Sequence, residues 1–116
     1  MDRSRIPKFY KASVPERLEI LREKGILNKE DYFQFLNGEN TLPIEEADKI
    51  IENVFGVFSL PMGLGLNFLI NKKSYVIPMV VEEPSIIAAV SSAAKIVRSS
   101  GGFLSISDEP LIIGQI

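Results

Sequence analysis

Residues 80–85 read Val-Val-Glu-Glu-Pro-Ser, and the adjacent carboxylates Glu82 and Glu83 are the groups in this chain best suited to acid–base chemistry. The apolar run Tyr75–Val81 predicts a buried strand that ends on them. Pro84 stands at a natural first helical position, and Ser85 to Arg98 has helical periodicity. Two acids are thus expected where a strand hands over to a helix, flanked by apolar residues, a setting that can shift a carboxyl pKa. The plainer alternative is that the pair only caps the helix. A hydrolase with facing carboxylates fits poorly. Adjacent side chains on a strand end diverge, whereas glycosidase carboxylates lie roughly 5–9.5 Å apart across a cleft.

Composition narrows the chemistry further. The chain has 116 residues, enough for at most one domain, and 46% of them are hydrophobic, so it is not a disordered tract. It contains no cysteine and no histidine. Disulfides, thiolate metal sites, a cysteine nucleophile and imidazole catalysis are therefore absent from these residues. Lack of cysteine fits a reducing, cytoplasmic setting. The net charge of −2, with signs mixed, does not suggest a nucleic-acid surface. The start, Met1 to Lys8, is polar and has no signal-peptide core. Asn53 to Asn71 is uncharged and about long enough to span a bilayer, but Gly56, Ser59, Pro61, Gly63, Gly65 and Asn67 punctuate it, so no membrane span is expected.

The elements that must position the acids follow from local signals. Pro15 to Lys24 predicts a helix capped by Ser13, with Leu18 and Leu21 inward and Gly25 as its stop. Asn28 caps a second helix, Lys29 to Leu36, ending at Gly38. Pro43 opens a third, with Ile44, Ala47, Ile50 and Ile51 as its apolar stripe. Beyond Glu52 the pattern changes. Val54–Leu60, Leu66–Ile70, Tyr75–Val81 and Phe103–Ser107 predict strands, with Asn71–Ser74 as a polar turn. The helix after Pro84 carries Ile86, Val90, Ala93 and Val97 on one face, with Ile87 and Ala94 beside them, and stops at Gly101-Gly102. That apolar stripe is expected to need covering by a second copy or by the rest of a larger protein. The expectation is an α+β fold: short N-terminal helices, a small mixed or antiparallel sheet of about four strands, and one long helix after Pro84. Leu111 to Ile116 is an apolar end, which suggests a segment of a larger domain.

Three blocks stand in a telling order: Glu52-Asn53-Val54-Phe55-Gly56, then Val80 to Ala89, then Gly101-Gly102-Phe103 with Pro110-Leu111 following. In this register, from Arg5-Ile6-Pro7 to Ile116, the chain resembles the N-terminal part of a class II, prokaryotic, hydroxymethylglutaryl-CoA reductase. Enzymes of that family reduce hydroxymethylglutaryl-CoA to mevalonate and free CoA with two NAD or NADP hydrides, through a mevaldyl-CoA hemithioacetal and mevaldehyde. Some run in the oxidative direction. The work belongs to mevalonate and isoprenoid metabolism.

The resemblance implies that Glu83, directly before Pro84-Ser85, is the catalytic glutamate and gives a proton to the carbonyl oxygen, coupled to a lysine and an aspartate. It implies that Ser85 binds the hydroxymethylglutaryl portion of the substrate. The Glu52–Gly56 block implies a homodimer or higher homo-oligomer interface. Residues 1–116 would be the first segment of the large, substrate-binding domain. The dinucleotide-binding domain, the lysine and aspartate partners and a CoA-protonating histidine would lie outside this chain. Gly56, Gly63 and Gly65 make no phosphate loop in context. Where class II members can carry a CoA-binding arginine, this chain has Tyr10. Lys8 and Lys11 lie close by, either as phosphate contacts or as solvated charges. No metal site, nucleic acid or membrane is expected. The segment alone is expected to be inactive. The rival reading is a non-catalytic self-association or interaction module derived from such a reductase, and the downstream reading frame distinguishes the two.

Overall fold

The computed structural model describes residues 2–39, 41–81, 83–111 and 114. Glu82, and most of the apolar end from Leu111 onward, lie outside the described residues. Helix α1 (Val14–Glu23) starts where Ser13 donates from both its backbone N–H and its hydroxyl to the Glu16 carboxylate, each at 2.7 Å. These two bonds hold the Glu16 carboxyl below the usual carboxylate range. Helix α2 (Lys29–Asn37) is capped by the Asn28 side chain, which accepts from the Asp31 N–H at 2.8 Å, and it ends at Gly38 in the left-handed conformation. The two helices pack together, Leu18 and Leu21 of α1 are buried, and the Arg22 guanidinium lies over the Tyr32 ring.

The third helix is shorter than its apolar stripe predicted. Helix α3 covers only Ile44–Ala47, and Ile50 and Ile51 are exposed. Of that stripe, only Ala47 is buried.

The sheet has two strands rather than about four. Strand β1 (Met62–Ile70) and strand β2 (Lys73–Val80) form an antiparallel hairpin. Asn71 and Lys72, with φ of 48° and 66°, make its two-residue turn, which starts at Asn71 as expected but gives Lys73 and Ser74 to β2. Val54–Leu60 is not a strand: its residues find no ladder partner among the described residues, and Phe55 and Phe58 stand in solvent. Strand β1 instead begins at Met62, through glycines that had read as a turn. Phe103–Ser107 contributes a single parallel bridge, Ile70 to Phe103. The Asn71 side chain extends that pairing by exchanging hydrogen bonds with the Ser105 backbone at 2.9 and 3.0 Å.

Helix α4 (Ile86–Ser99) packs on β1. Its sheet-facing stripe is shifted one position along from the apolar face expected to need covering, and that face is left exposed or half-buried. Ile87 meets Gly63, Ser91 and Arg98 bond to β1, and Ala94 is fully buried, whereas Ile86 and Ala93 are exposed and Val90 and Val97 half-buried. The shift has a physical cause. Gly63 lacks a Cβ, and one built there would lie 2.8 Å from Ile87 Cδ1, so the helix comes close at that point and its polar residues reach the strand backbone. The α+β class holds, with four α-helices and a two-stranded sheet among the described residues.

Candidate functional site

The loop from β2 to α4 carries both residues singled out above. Its start is fixed by the Val81 N–H, which donates to the Pro61 carbonyl at 2.9 Å and prolongs the hairpin by one bond. Glu83 follows in a bend and is exposed, as is Ser85. The helix does not begin at Pro84. Ser85 is its N-cap residue, Pro84 precedes the cap, and Glu83 stands two positions before it. The expectation that Glu83 itself caps the helix is therefore corrected.

Ser85 has an unusual backbone for its type. It lies at φ 73°, ψ −12°, a left-handed conformation costly for a residue with a Cβ. Its hydroxyl makes no capping bond, while its carbonyl accepts the first helical bond, from Ala89 N–H at 2.9 Å. The serine oxygen most often spent on the helix end is thus left for another partner. Chemically, the turn offers the Glu83 carboxyl and the Ser85 hydroxyl, both on exposed residues.

Lys11 lines a shallow cleft with Ala12, Glu16, Glu19 and Ile20, and its ammonium lies 5.9 Å from the centre of the Tyr10 ring. Two carboxylates, Glu16 and Glu19, share that cleft. A second cleft runs along Asn71, Lys72 and Ser100–Ser105. Glu83 and Ser85 line neither. Among the described residues, no group of three or more acidic side chains could hold a metal, and no helix is long and apolar enough to cross a membrane. Gly63 and Gly65 lie inside β1 rather than in a phosphate-cradling loop.

Sequence reasoning missed the scaffold behind the turn. Opposite Val76 of β2, β1 carries two residues, Leu66 and Asn67, so the strand bulges between Gly65 and Phe68. Asn67 takes φ 68° there, a conformation asparagine tolerates better than most residues. Asparagine between glycine and aromatic residues was the available signal. Both bulge N–H groups find partners off the sheet. Leu66 N–H donates to Ser91 Oγ at 3.0 Å, and Asn67 N–H donates to the Ser4 carbonyl at 3.1 Å. The Asn67 side-chain amide donates to the Ser91 carbonyl at 3.0 Å. Arg98 Nη1 donates to the carbonyls of Asn67 and Phe68, both at 3.3 Å, and to Ser4 Oγ at 3.2 Å.

Much apolar surface around this scaffold is uncovered. The chain exposes 9688 Å², against roughly 6,300 Å² for a compact monomer of its length. Phe55, Phe58, Leu104, Ile106 and Leu111 are each more than four-fifths exposed. A free-standing soluble domain rarely presents so much.

The architecture so far defines an α+β segment: a bulged hairpin backed by one long helix, with an acidic strand-to-helix turn at the helix start. The sequence model described as hydroxymethylglutaryl-coenzyme A reductase matches residues 13–116, and the chain belongs to that family. It is 50% identical over 113 residues to the 3-hydroxy-3-methylglutaryl-coenzyme A reductase of Archaeoglobus fulgidus, covering 97% of this chain and 26% of that protein. It also superposes on the class II 3-hydroxy-3-methylglutaryl-CoA reductase of Streptococcus pneumoniae, solved bound to NADPH. That match has a TM-score of 0.78 and 41% identity, over 84% of this chain and 26% of that one. The chain thus spans about a quarter of the length of these relatives.

Proposed function

We propose that residues 1–116 are the first segment of the large, substrate-binding domain of a longer oxidoreductase that interconverts hydroxymethylglutaryl-CoA and mevalonate plus CoA with two NAD(P)H. The observation that carries this reading is 50% identity to the archaeal reductase along nearly the whole chain. In this reading Glu83 gives a proton to the thioester carbonyl oxygen as hydride arrives, and later to the aldehyde oxygen. The Ser85 hydroxyl, unused by its helix, hydrogen-bonds the hydroxymethylglutaryl portion of the substrate. The dinucleotide supplies hydride when bound. In this reading it is held by residues outside this chain.

The exposure of the turn sets a condition. A proton donor in bulk water loses the low-dielectric setting that makes its donation selective, so other parts of the protein must close over Glu83. The uncovered apolar surface supports that. It also supports a homodimer or higher oligomer with Glu52–Gly56 at the contact, where the Phe55 ring is fully exposed. Cytoplasmic placement in mevalonate and isoprenoid metabolism completes the reading.

The test is to assay the complete polypeptide carrying residues 1–116, and residues 1–116 alone, with hydroxymethylglutaryl-CoA and NADH or NADPH. Cofactor oxidation by the complete polypeptide only is expected. None from the complete polypeptide would leave the non-catalytic association module as the better account. Oxidation by the isolated segment would overturn the claim that the site needs residues beyond it.

A further inference from the structure

We propose that Ser91 is a positioning residue for the Glu83–Ser85 turn, fixing helix α4 on the bulge of β1 so that the turn stands at one place relative to the sheet. The proposal rests on the reductase reading of that turn. Two bulge residues stand opposite one residue of β2, so the Leu66 N–H loses its ladder partner. It recovers one in Ser91 Oγ at 3.0 Å. The same hydroxyl donates its single proton to the Ile87 carbonyl at 2.8 Å, one helical turn closer to Ser85. The Ser91 carbonyl in turn accepts from the Asn67 side chain at 3.0 Å. Three directional contacts therefore converge on one residue of α4.

The rest of the interface near the turn cannot do this. Ile87 against Gly63 and the buried Ala94 are apolar contacts, which resist separation but not sliding. Arg98 is also directional but anchors the far end of the helix. Ser91 is six residues after Ser85, roughly 9 Å along the helix axis, and the intervening helix is rigid. Any axial slip or roll at Ser91 is carried to Ser85 and the glutamate beside it. A misplacement of about 1 Å at a reacting centre can cost on the order of a hundredfold in rate.

A serine that merely satisfies a strand amide would affect stability alone, so the experiment separates the two. In the complete polypeptide, compare Ser91→Ala, Ser91→Thr, and Ser91→Ala combined with Glu83→Gln, at a temperature where circular dichroism shows each folded. Ser91→Ala is expected to lower kcat about tenfold or more while leaving KM for NAD(P)H unchanged. Ser91→Thr, which keeps the hydroxyl, is expected to recover most of that loss. In the Glu83→Gln background the alanine effect should vanish, because the positioned group is gone. Amide hydrogen exchange supplies a readout free of turnover: Leu66 and Ala89 should both exchange about tenfold faster in Ser91→Ala. A lower melting temperature with wild-type kcat and wild-type Ala89 protection would overturn the proposal. If the wild-type protein shows no reductase activity, the reductase reading fails. Ala89 exchange then decides alone whether Ser91 holds the turn, with unchanged protection counting against it.

Discussion

The guanidinium of Arg98 pairs with the carboxylate of Asp2, 96 positions earlier in the chain, and closes the N-terminal segment over the bulge of β1. Asp2 also accepts from the Ser4 N–H and hydroxyl at 3.1 and 3.0 Å, and Arg98 Nη2 donates to Ser74 Oγ at 3.1 Å. One arginine thus joins the chain start, both strands and α4. Ser4 is 1% exposed, so this segment is part of the fold rather than a solvated tail. Arg3, its neighbour, donates to the Gly25 carbonyl at 3.4 Å and ties the same segment to the end of α1.

Removing Arg98 should cost more than removing its acid. Arg98→Ala leaves the carbonyls of Asn67 and Phe68 and the Asp2 carboxylate short of donors, and a loss of about 2–4 kcal/mol is expected. Asp2→Asn keeps an acceptor and should cost clearly less. Urea unfolding of the two variants in the complete polypeptide checks the order, and equal losses would mean that the ion pair, not the bulge carbonyls, carries the contribution.

The same pair predicts a pH effect. Partial burial pushes the Asp2 pKa up, but the hydrogen bonds from Ser4 and Ser74 and the Arg98 charge outweigh it, and the net shift is downward. A carboxyl depressed in the folded state contributes stability that is fully present above its unfolded pKa. That contribution falls away as pH drops through the folded value, so it should be complete at neutral pH and begin to decline below about pH 4. Melting curves of wild type and Asp2→Asn should therefore differ at pH 7 and draw together as the pH is lowered through the acid range.

Gly102 should be intolerant of any side chain. It sits at φ 90°, and a Cβ there would lie 2.4 Å from the Leu69 carbonyl oxygen. That oxygen accepts the Phe103 N–H at 2.7 Å, the bond that lays the Gly-Gly segment beside β1. Gly102→Ala is expected to cost on the order of 3 kcal/mol, from the left-handed backbone and the clash together. Gly101→Ala, with open space around its Cβ, should cost less despite its φ of 105°. Thermal melts of both variants test the difference.

What was legible in the sequence was local. Ser13, Asn28 and Gly38 act within one turn of themselves, so their residue types announced the ends of α1 and α2. What misled was decided by distant partners. Gly63 and Gly65 read as turn residues because glycine is rare in strands, yet they belong to β1, and Gly63 is where α4 comes close. Val54–Leu60 is apolar enough for a strand, but no described neighbour offers a ladder. Arg98 closes the helical run after Pro84, and nothing local reveals Asp2 as its partner. Glu83 and Ser85 stood out through resemblance to a family. The left-handed backbone that frees the Ser85 hydroxyl was not readable from its type.

Phe55 should matter to assembly rather than to the folding of its own chain. Its ring is fully exposed, and that of Phe58 is 86% exposed, so neither contributes packing within these residues. Phe55→Ser is expected to change stability of an isolated subunit by no more than about 0.5 kcal/mol. If the surface is an intersubunit contact, loss of a buried aromatic anchor should weaken association by about 2 kcal/mol or more, roughly thirtyfold in dissociation constant. Sedimentation equilibrium of the complete polypeptide reads this directly. An unchanged association constant would remove the Glu52–Gly56 stretch from the interface.

Replacing Glu83 by glutamine tests the chemistry with little change in shape. The amide keeps the size and polarity of the side chain but cannot deliver a carboxylic proton to the substrate oxygen. For a lost general acid, turnover by the complete polypeptide should fall about a hundredfold or more. KM for hydroxymethylglutaryl-CoA should hold, because the Ser85 hydroxyl is assigned to binding and is untouched. Ser85→Ala should do the reverse and raise KM more than it lowers kcat. Ser85→Gly adds a control from the backbone, since glycine relieves the left-handed strain at φ 73°. It should raise the melting temperature while weakening substrate binding as the alanine variant does. Near-normal turnover in Glu83→Gln would reduce that glutamate to an exposed loop residue and pass the proton-donor role to another group.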